Sequence, residues 1–131
     1  CEAIKLNPHK AVSFNKCAMA LWQKDYLEEA IIACNKAIQA DNDYYPAYNN
    51  LGVIYLEGIH NFKEAKKLFK DAVRIKRDYV MGHFNLGRAY KELGDFVEAA
   101  KCFQKALELN EIEAELDSND IRSKLYSLFE V

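Results

Sequence analysis

Apolar and small residues recur along this chain at i, i+3, i+4 and i+7, the spacing of one face of an α-helix. The blocks that carry this spacing recur in turn. Phe14-x-x-Cys17-Ala18-x-x-Leu21 aligns with Tyr48-x-x-Leu51-Gly52-x-x-Tyr55 and with His83-x-x-Leu86-Gly87-x-x-Tyr90. The small residues Ala18, Gly52 and Gly87 stand 34 and then 35 positions apart. Two further sets, Ala30/Ala65/Ala99 and Ala37/Ala72/Ala106, repeat at 35 and then 34. The pattern predicts first helices near 11–24, 45–58 and 80–93, and second helices near 27–40, 61–75 and 95–109. Each first helix pairs antiparallel with its second, and a period of this length means stacked units that bury their apolar faces on one another.

Punctuation agrees with these boundaries. Asp25, Gly58 with Asn61, and Gly94-Asp95 mark the turns inside each pair, where glycine ends one helix and Asp or Asn caps the next. Pro46 falls in an opening turn, where its missing N–H costs nothing. Alanine and glycine at the recurring sites let a neighbouring helix approach closely. The large residues beside them (Tyr48, Tyr55, Phe69, Tyr90, Phe103) fill the remaining volume.

Composition narrows the classes of function. Half of the 131 residues are apolar and 29% are charged, the balance of a globular chain with a sizeable core. The net charge of −2 predicts no general attraction to nucleic acid or to an anionic membrane. No apolar run reaches the roughly 18 residues of a membrane span, and the opening Cys1-Glu2-Ala3-Ile4-Lys5 has no signal-peptide form. Cys17, Cys34 and Cys102 fall at or beside apolar repeat positions and are expected to be buried free thiols. Such thiols fit a reducing, cytoplasmic setting. Cys1 admits a second reading, the lipid-bearing first residue of a mature lipoprotein.

Candidate chemistry is sparse. The cysteines lack CxxC spacing and histidine partners, so no metal is expected. His9, His60 and His83 lie on different repeats with no nucleophile at a triad spacing. His83 stands where the second repeat has an aromatic, and a packed, hydrogen-bonded imidazole is expected there. The five glycines follow packing and turns and form no phosphate loop. No catalytic residue and no cofactor is predicted. Lys63, Lys66, Lys67, Lys70, Arg74 and Arg77 make one basic helix face, read as solvated. Glu108, Glu111, Glu113, Glu115, Asp117 and Asp120 make the far end acidic, so weak head-to-tail self-association is conceivable.

Taken together, large-x-x-Leu-Gly-x-x-Tyr followed by alanine, aromatic and alanine at fixed offsets resembles the tetratricopeptide repeat. Gly87-Arg88-Ala89-Tyr90-Lys91-Glu92-Leu93-Gly94-Asp95-Phe96-Val97-Glu98-Ala99-Ala100 carries the resemblance best. The second repeat has one additional residue between Glu57 and Asn61. The first departs most, with Cys17, Ala18 and Cys34 where leucine, glycine and an aromatic are commoner. The resemblance implies an all-α, right-handed superhelical solenoid of antiparallel helix pairs. It would comprise repeats at 11–44, 45–79 and 80–113, after a stretch (1–10) that reads as the tail of a preceding repeat's second helix. Asp117-Ser118-Asn119-Asp120 is a helix-start cluster, and Ile121, Leu125, Leu128 and Phe129 form one stripe after it. Residues 114–131 are therefore read as a C-terminal capping helix, centred on 119–130, that shields the last repeat.

In this family the first helices line the concave side, and the resemblance implies a groove that binds a protein or peptide. Its predicted lining is Asn15, Lys16, Met19 and Trp22; Asn49, Asn50, Val53 and Leu56; and Phe84, Asn85, Arg88 and Lys91. Asn50 and Asn85 occupy equivalent places, and their amides are expected to pair with a ligand backbone. This resembles the asparagine ladder of protein O-linked glycosyltransferases, with Lys16 taking the first rung. Solvated asparagines are the alternative. Met19, Val53 and Phe84, with Met81, would meet apolar ligand side chains. Of the lysine, asparagine and arginine set with which some members hold a terminal dicarboxylate, Asn50 matches. Met19, Met81 and Asn85 stand where asparagine, lysine and arginine would be expected, and Asn15 replaces the first lysine, so that activity is not expected. The reading is a protein–protein interaction module. Its rivals are a self-assembling scaffold and the regulatory arm of a larger enzyme such as a protein glycosyltransferase.

Overall fold

The computed structural model describes residues 8–113 and 117–129. Residues 1–7 of the expected repeat tail (1–10), and the Cys1 reading with them, lie outside that range. So do 114–116 and 130–131 of the expected capping segment. The described residues form α1 (Pro8–Gln23), α2 (Leu27–Ala40), α3 (Tyr45–Val53), α4 (Phe62–Ile75), α5 (Val80–Glu92), α6 (Phe96–Glu113) and α7 (Ser118–Ser127). α3 runs directly into a π-helical turn, Ile54–Ile59. Among the described residues there is no strand, and no helix is long and apolar enough to cross a membrane.

Each first helix packs most extensively on its own second helix, α1 on α2, α3 on α4 and α5 on α6. The second helices α2 and α4 pack in turn on the following first helix, and α6 packs on α7. Neighbouring first helices touch one another (α1 with α3, α3 with α5), whereas the second helices stand farther apart. Closer approach on one side bends the row of pairs, so α1, α3 and α5 line its inner face.

The small residues make this approach possible. A Cβ added at Gly52 would stand 2.5 Å from the Phe69 ring, and one at Gly87 would stand 2.8 Å from the Phe103 ring. Both rings are fully buried, each contributing about 3 kcal/mol of apolar burial at most. Phe84 lies 5.7 Å from Phe103, centroid to centroid. Ala30, Ala37, Ala65, Ala72, Ala99 and Ala106 are all completely buried. The last helix seals the array: Ile121 enters the core, and Asn110 donates to the Ser118 hydroxyl at 2.8 Å.

Local signals place most ends. The side chains of Asn61, Asp95 and Asp117 accept from the backbone N–H groups of Glu64, Glu98 and Asn119. Gly94, at φ 83°, closes α5 in the left-handed conformation that glycine adopts without a Cβ penalty. Several boundaries differ from expectation. α1 opens at Pro8, so residues 8–10 form its first turn. α6 continues to Glu113, and α7 runs from Ser118 to Ser127. Asp25 does not cap α2; it sits left-handed at φ 65°, and the N-cap is Tyr26 with no side-chain bond. The second repeat's additional residue is absorbed by the π turn, which moves the helix end beyond Gly58. His60, at φ 64°, becomes the left-handed residue instead.

Candidate functional site

The inner face is built on two matched rows of asparagine. Asn50 of α3 donates from Nδ2 to Asn15 Oδ1 of α1 at 2.8 Å. One repeat later, Asn85 of α5 donates to Asn49 Oδ1 of α3 at 2.9 Å. The geometry repeats because Asn15 and Asn49 share one register position while Asn50 and Asn85 share the next. In the third repeat the acceptor position is Phe84, so the row stops there. The second bond extends sideways: Arg88 Nη1 donates to Asn85 Oδ1 at 3.0 Å, and Nη2 to Glu57 Oε2 at 2.8 Å. Asn49, Asn85, Arg88 and Glu57 thus form a chain of three hydrogen bonds linking α3 and its π turn to α5.

This arrangement corrects the expected lining. Asn15, Asn49 and Asn85 are buried; Asn15 Oδ1 accepts from Asn50, and Asn85 donates to Asn49 Oδ1. Buried amides left without partners would be costly, and side-by-side first helices supply those partners. Phe84 is 8% exposed and packs into the core on Phe103. Leu56 is buried as well. Trp22 belongs partly to the core, since the π turn brings Gly58 so near that an added Cβ would stand 3.0 Å from its ring. On the inner face Lys16 is exposed, and Met19, Asn50, Val53, Arg88 and Lys91 are half-buried.

Glu57 is the residue that the sequence reading missed. The signal was available: Glu57 occupies the last turn of a first helix, as Glu92 does one repeat on. Its partner Arg88 stands one turn from Asn85. Only the side-by-side packing of α3 and α5 tells which two face each other.

Titratable groups elsewhere serve packing. His83 Nε2 lies 2.7 Å from the Arg77 carbonyl, and Tyr48 Oη donates to the Asn42 carbonyl at 2.9 Å. These are the same position in successive repeats, each holding the turn six residues before it, so imidazole replaces phenol in one role. Burial holds the His83 pKa below its ordinary value, against the pull of the Arg77 carbonyl; Lys105 lowers it further. Burial pushes the thiol of Cys34 up to about 12 and that of Cys102 to about 11. Cys17, expected to be buried, is exposed. Its counterparts Leu51 and Leu86 are buried, and α2 and α4 pack against the helices that carry them. Among the described residues no earlier helix stands over Cys17. The basic face of α4 is partly engaged too, with Lys66 and Lys70 over the Tyr90 ring at 5.7 and 5.8 Å. Among the described residues no group of three His, Cys, Asp or Glu side chains could hold a metal ion.

Comparison with known proteins bears on this site. Two models of the tetratricopeptide repeat match, one at residues 11–44 and 45–79, the other at 80–111. The chain is 29% identical over 111 residues to a probable UDP-N-acetylglucosamine–peptide N-acetylglucosaminyltransferase SPINDLY of Hordeum vulgare. That match covers 80% of this chain and 12% of the relative. It is 34% identical over 116 residues to the uncharacterized protein ycf37 of Pyropia yezoensis, covering 81% of this chain and 62% of that one. The chain therefore spans under two thirds of either relative. Among solved structures it is similar to the first TPR of Spaghetti (RPAP3) bound to an HSP90 peptide. The TM-score is 0.83 at 23% identity, over 98% of this chain and all of that one.

Proposed function

The chain belongs to the tetratricopeptide-repeat family, and from that premise we propose that it is a protein–protein interaction module. Its ligand is a peptide or partner helix lying along the inner face of α1, α3 and α5. The observation that carries this reading is the row of exposed and half-buried side chains on the inner face, Lys16, Met19, Asn50, Val53 and Arg88. Beside them the Asn50–Asn15 and Asn85–Asn49 bonds tie neighbouring first helices in register. A pre-ordered surface loses little freedom when a ligand arrives, and this favours binding. Met19 and Val53 supply adaptable apolar contact, while Asn50 supplies amide groups. Asn15, Asn49, Asn85 and Phe84 act beneath this surface as positioning residues.

The module works without a catalytic group of its own in this reading. The glycosyltransferase relative favours a second version, in which the repeats are the non-catalytic arm of a longer enzyme and the same face selects its protein substrate. Buried, free Cys34 and Cys102 suit a reducing compartment such as the cytosol.

The test is to select binding peptides by phage display on the purified chain and map the best one by amide chemical-shift changes. Shifts should centre on Lys16, Met19, Asn50, Val53 and Arg88. The double variant K16A/M19A should weaken that peptide at least tenfold without changing the urea midpoint. Shifts confined to the α2/α4/α6 side would reject the assignment.

A further inference from the structure

Beside the Glu57–Arg88 pair lies an open pocket of about 310 Å³ lined by Leu56, Glu57, His60, Phe62, Arg88 and Glu92. It sits at the rim of the inner face, where the π turn and the last turn of α5 come together. Leu56 is buried and Phe62 half-buried, so one wall is hydrocarbon. The only guanidinium is already committed, to Asn85 Oδ1 and to Glu57 Oε2. Two carboxylates, Glu57 and Glu92, therefore face one cation that is turned toward one of them, so acidic groups outnumber the guanidinium in this pocket.

We propose that this pocket takes the side chain of a lysine or arginine carried by the polypeptide in the groove. This rests on the groove reading above and adds the ligand's chemistry. The aliphatic stem of the basic residue lies on Leu56 and Phe62, as long cationic side chains do on apolar surface. Its charged end lies between Glu57 and Glu92. A ligand carboxylate would meet two like charges and would have to take Arg88 away from Glu57. Glu57 is thus a specificity residue: by occupying Arg88 it turns this stretch of the groove from acid-binding to base-binding. The additional residue of the second repeat contributes directly, because the π turn carries Leu56 and Glu57 and passes the chain to His60 and Phe62.

The experiment titrates ¹⁵N-labelled protein with Nα-acetyl-lysine methylamide and with its norleucine and glutamate counterparts. The lysine compound should shift amides of residues 56–62 and 88–92 saturably. Norleucine should bind more weakly, and glutamate should leave them unmoved. Glu92→Gln keeps the shape and removes a charge, and should lower the lysine compound's affinity about two- to fivefold, the size of a partly exposed ion pair. Glu57→Gln should free Arg88 and admit the glutamate compound. The proposal falls if the lysine compound gives no saturable shift, if glutamate binds the wild type equally well, or if Glu92→Gln changes nothing. The selected peptide separates the two readings. Shifts at Lys16, Met19 and Asn50 with a silent pocket keep the groove and discard the basic-residue site; loss of both discards both.

Discussion

In the third repeat a glycine faces a phenylalanine, Gly87 against Phe103, whereas in the first Ala18 and Cys34 share the corresponding slot. All four positions are buried, and Ala18, Cys34 and Phe103 have no measurable exposure. Where the first helix gains a methyl group, the second gives up a ring. The two repeats look dissimilar in sequence at this point, yet they solve one packing problem. What the array holds constant is the volume shared by two facing helices, since interiors are packed to near-crystal density and tolerate neither a void nor an overlap. The same logic explains Tyr48 and His83, where the constant is a hydrogen bond to a turn carbonyl and the side chain is free to change.

The largest contrast should come from emptying the two slots. Phe103→Ala should cost about 3–5 kcal/mol, because a buried ring leaves a cavity. Cys34→Ala should cost about 1 kcal/mol, roughly one buried methylene equivalent. Urea denaturation of both variants checks this, and equal costs would break the comparison. Next in size is overfilling. Gly87→Ala sets a Cβ against the Phe103 ring and should cost about 1–3 kcal/mol. If shared volume is the rule, Gly87→Ala combined with Phe103→Cys should be more stable than the sum of the two single changes predicts. Strict additivity in that cycle would show that the first repeat's pair is coincidence.

The smallest effect concerns Tyr48 and His83. With its folded pKa depressed by burial, His83 holds off protonation to a lower pH in the native state than in the unfolded chain. The unfolded chain takes up the proton first as pH falls past the ordinary histidine value near 6.5. Stability contributed above that pH is therefore lost as pH drops through the folded pKa. His83→Tyr copies the second repeat, keeps a donor for the Arg77 carbonyl and has no group titrating there. Urea midpoints at pH 7.5 and 5.5 should differ less in His83→Tyr than in the wild type. An unchanged difference would mean that His83 does not carry the acid sensitivity.

Much of this architecture was legible beforehand, and the reasons are local. Helix periodicity lies within fourteen or so consecutive residues, and Asn61, Asp95, Asp117 and Gly94 announce helix ends through their own backbone preferences. Boundaries failed where a neighbour intervened. The extra residue of the second repeat was visible, but its absorption as a π turn against Trp22 and Leu27 was not. At the candidate site Asn15, Asn49, Asn85 and Phe84, expected to line the groove, lie below the surface. Cys17 proved to lie on it. A one-dimensional pattern gives the angle of a side chain about its helix; it does not give how close the next helix comes.

The amino-acid sequence by itself determined an all-α array of three helix pairs with a sealing helix, because periodicity, small-residue spacing and capping act within and between adjacent segments. Only the tertiary structure decided which inner-face groups bond to one another. It paired Asn50 with Asn15, Asn85 with Asn49 and Arg88 with Glu57, residues about one repeat apart in the chain. Those pairings depend on the distance and rotation between neighbouring first helices. That geometry is fixed by the fit of small residues against buried side chains from repeat to repeat, and no short stretch of chain encodes it.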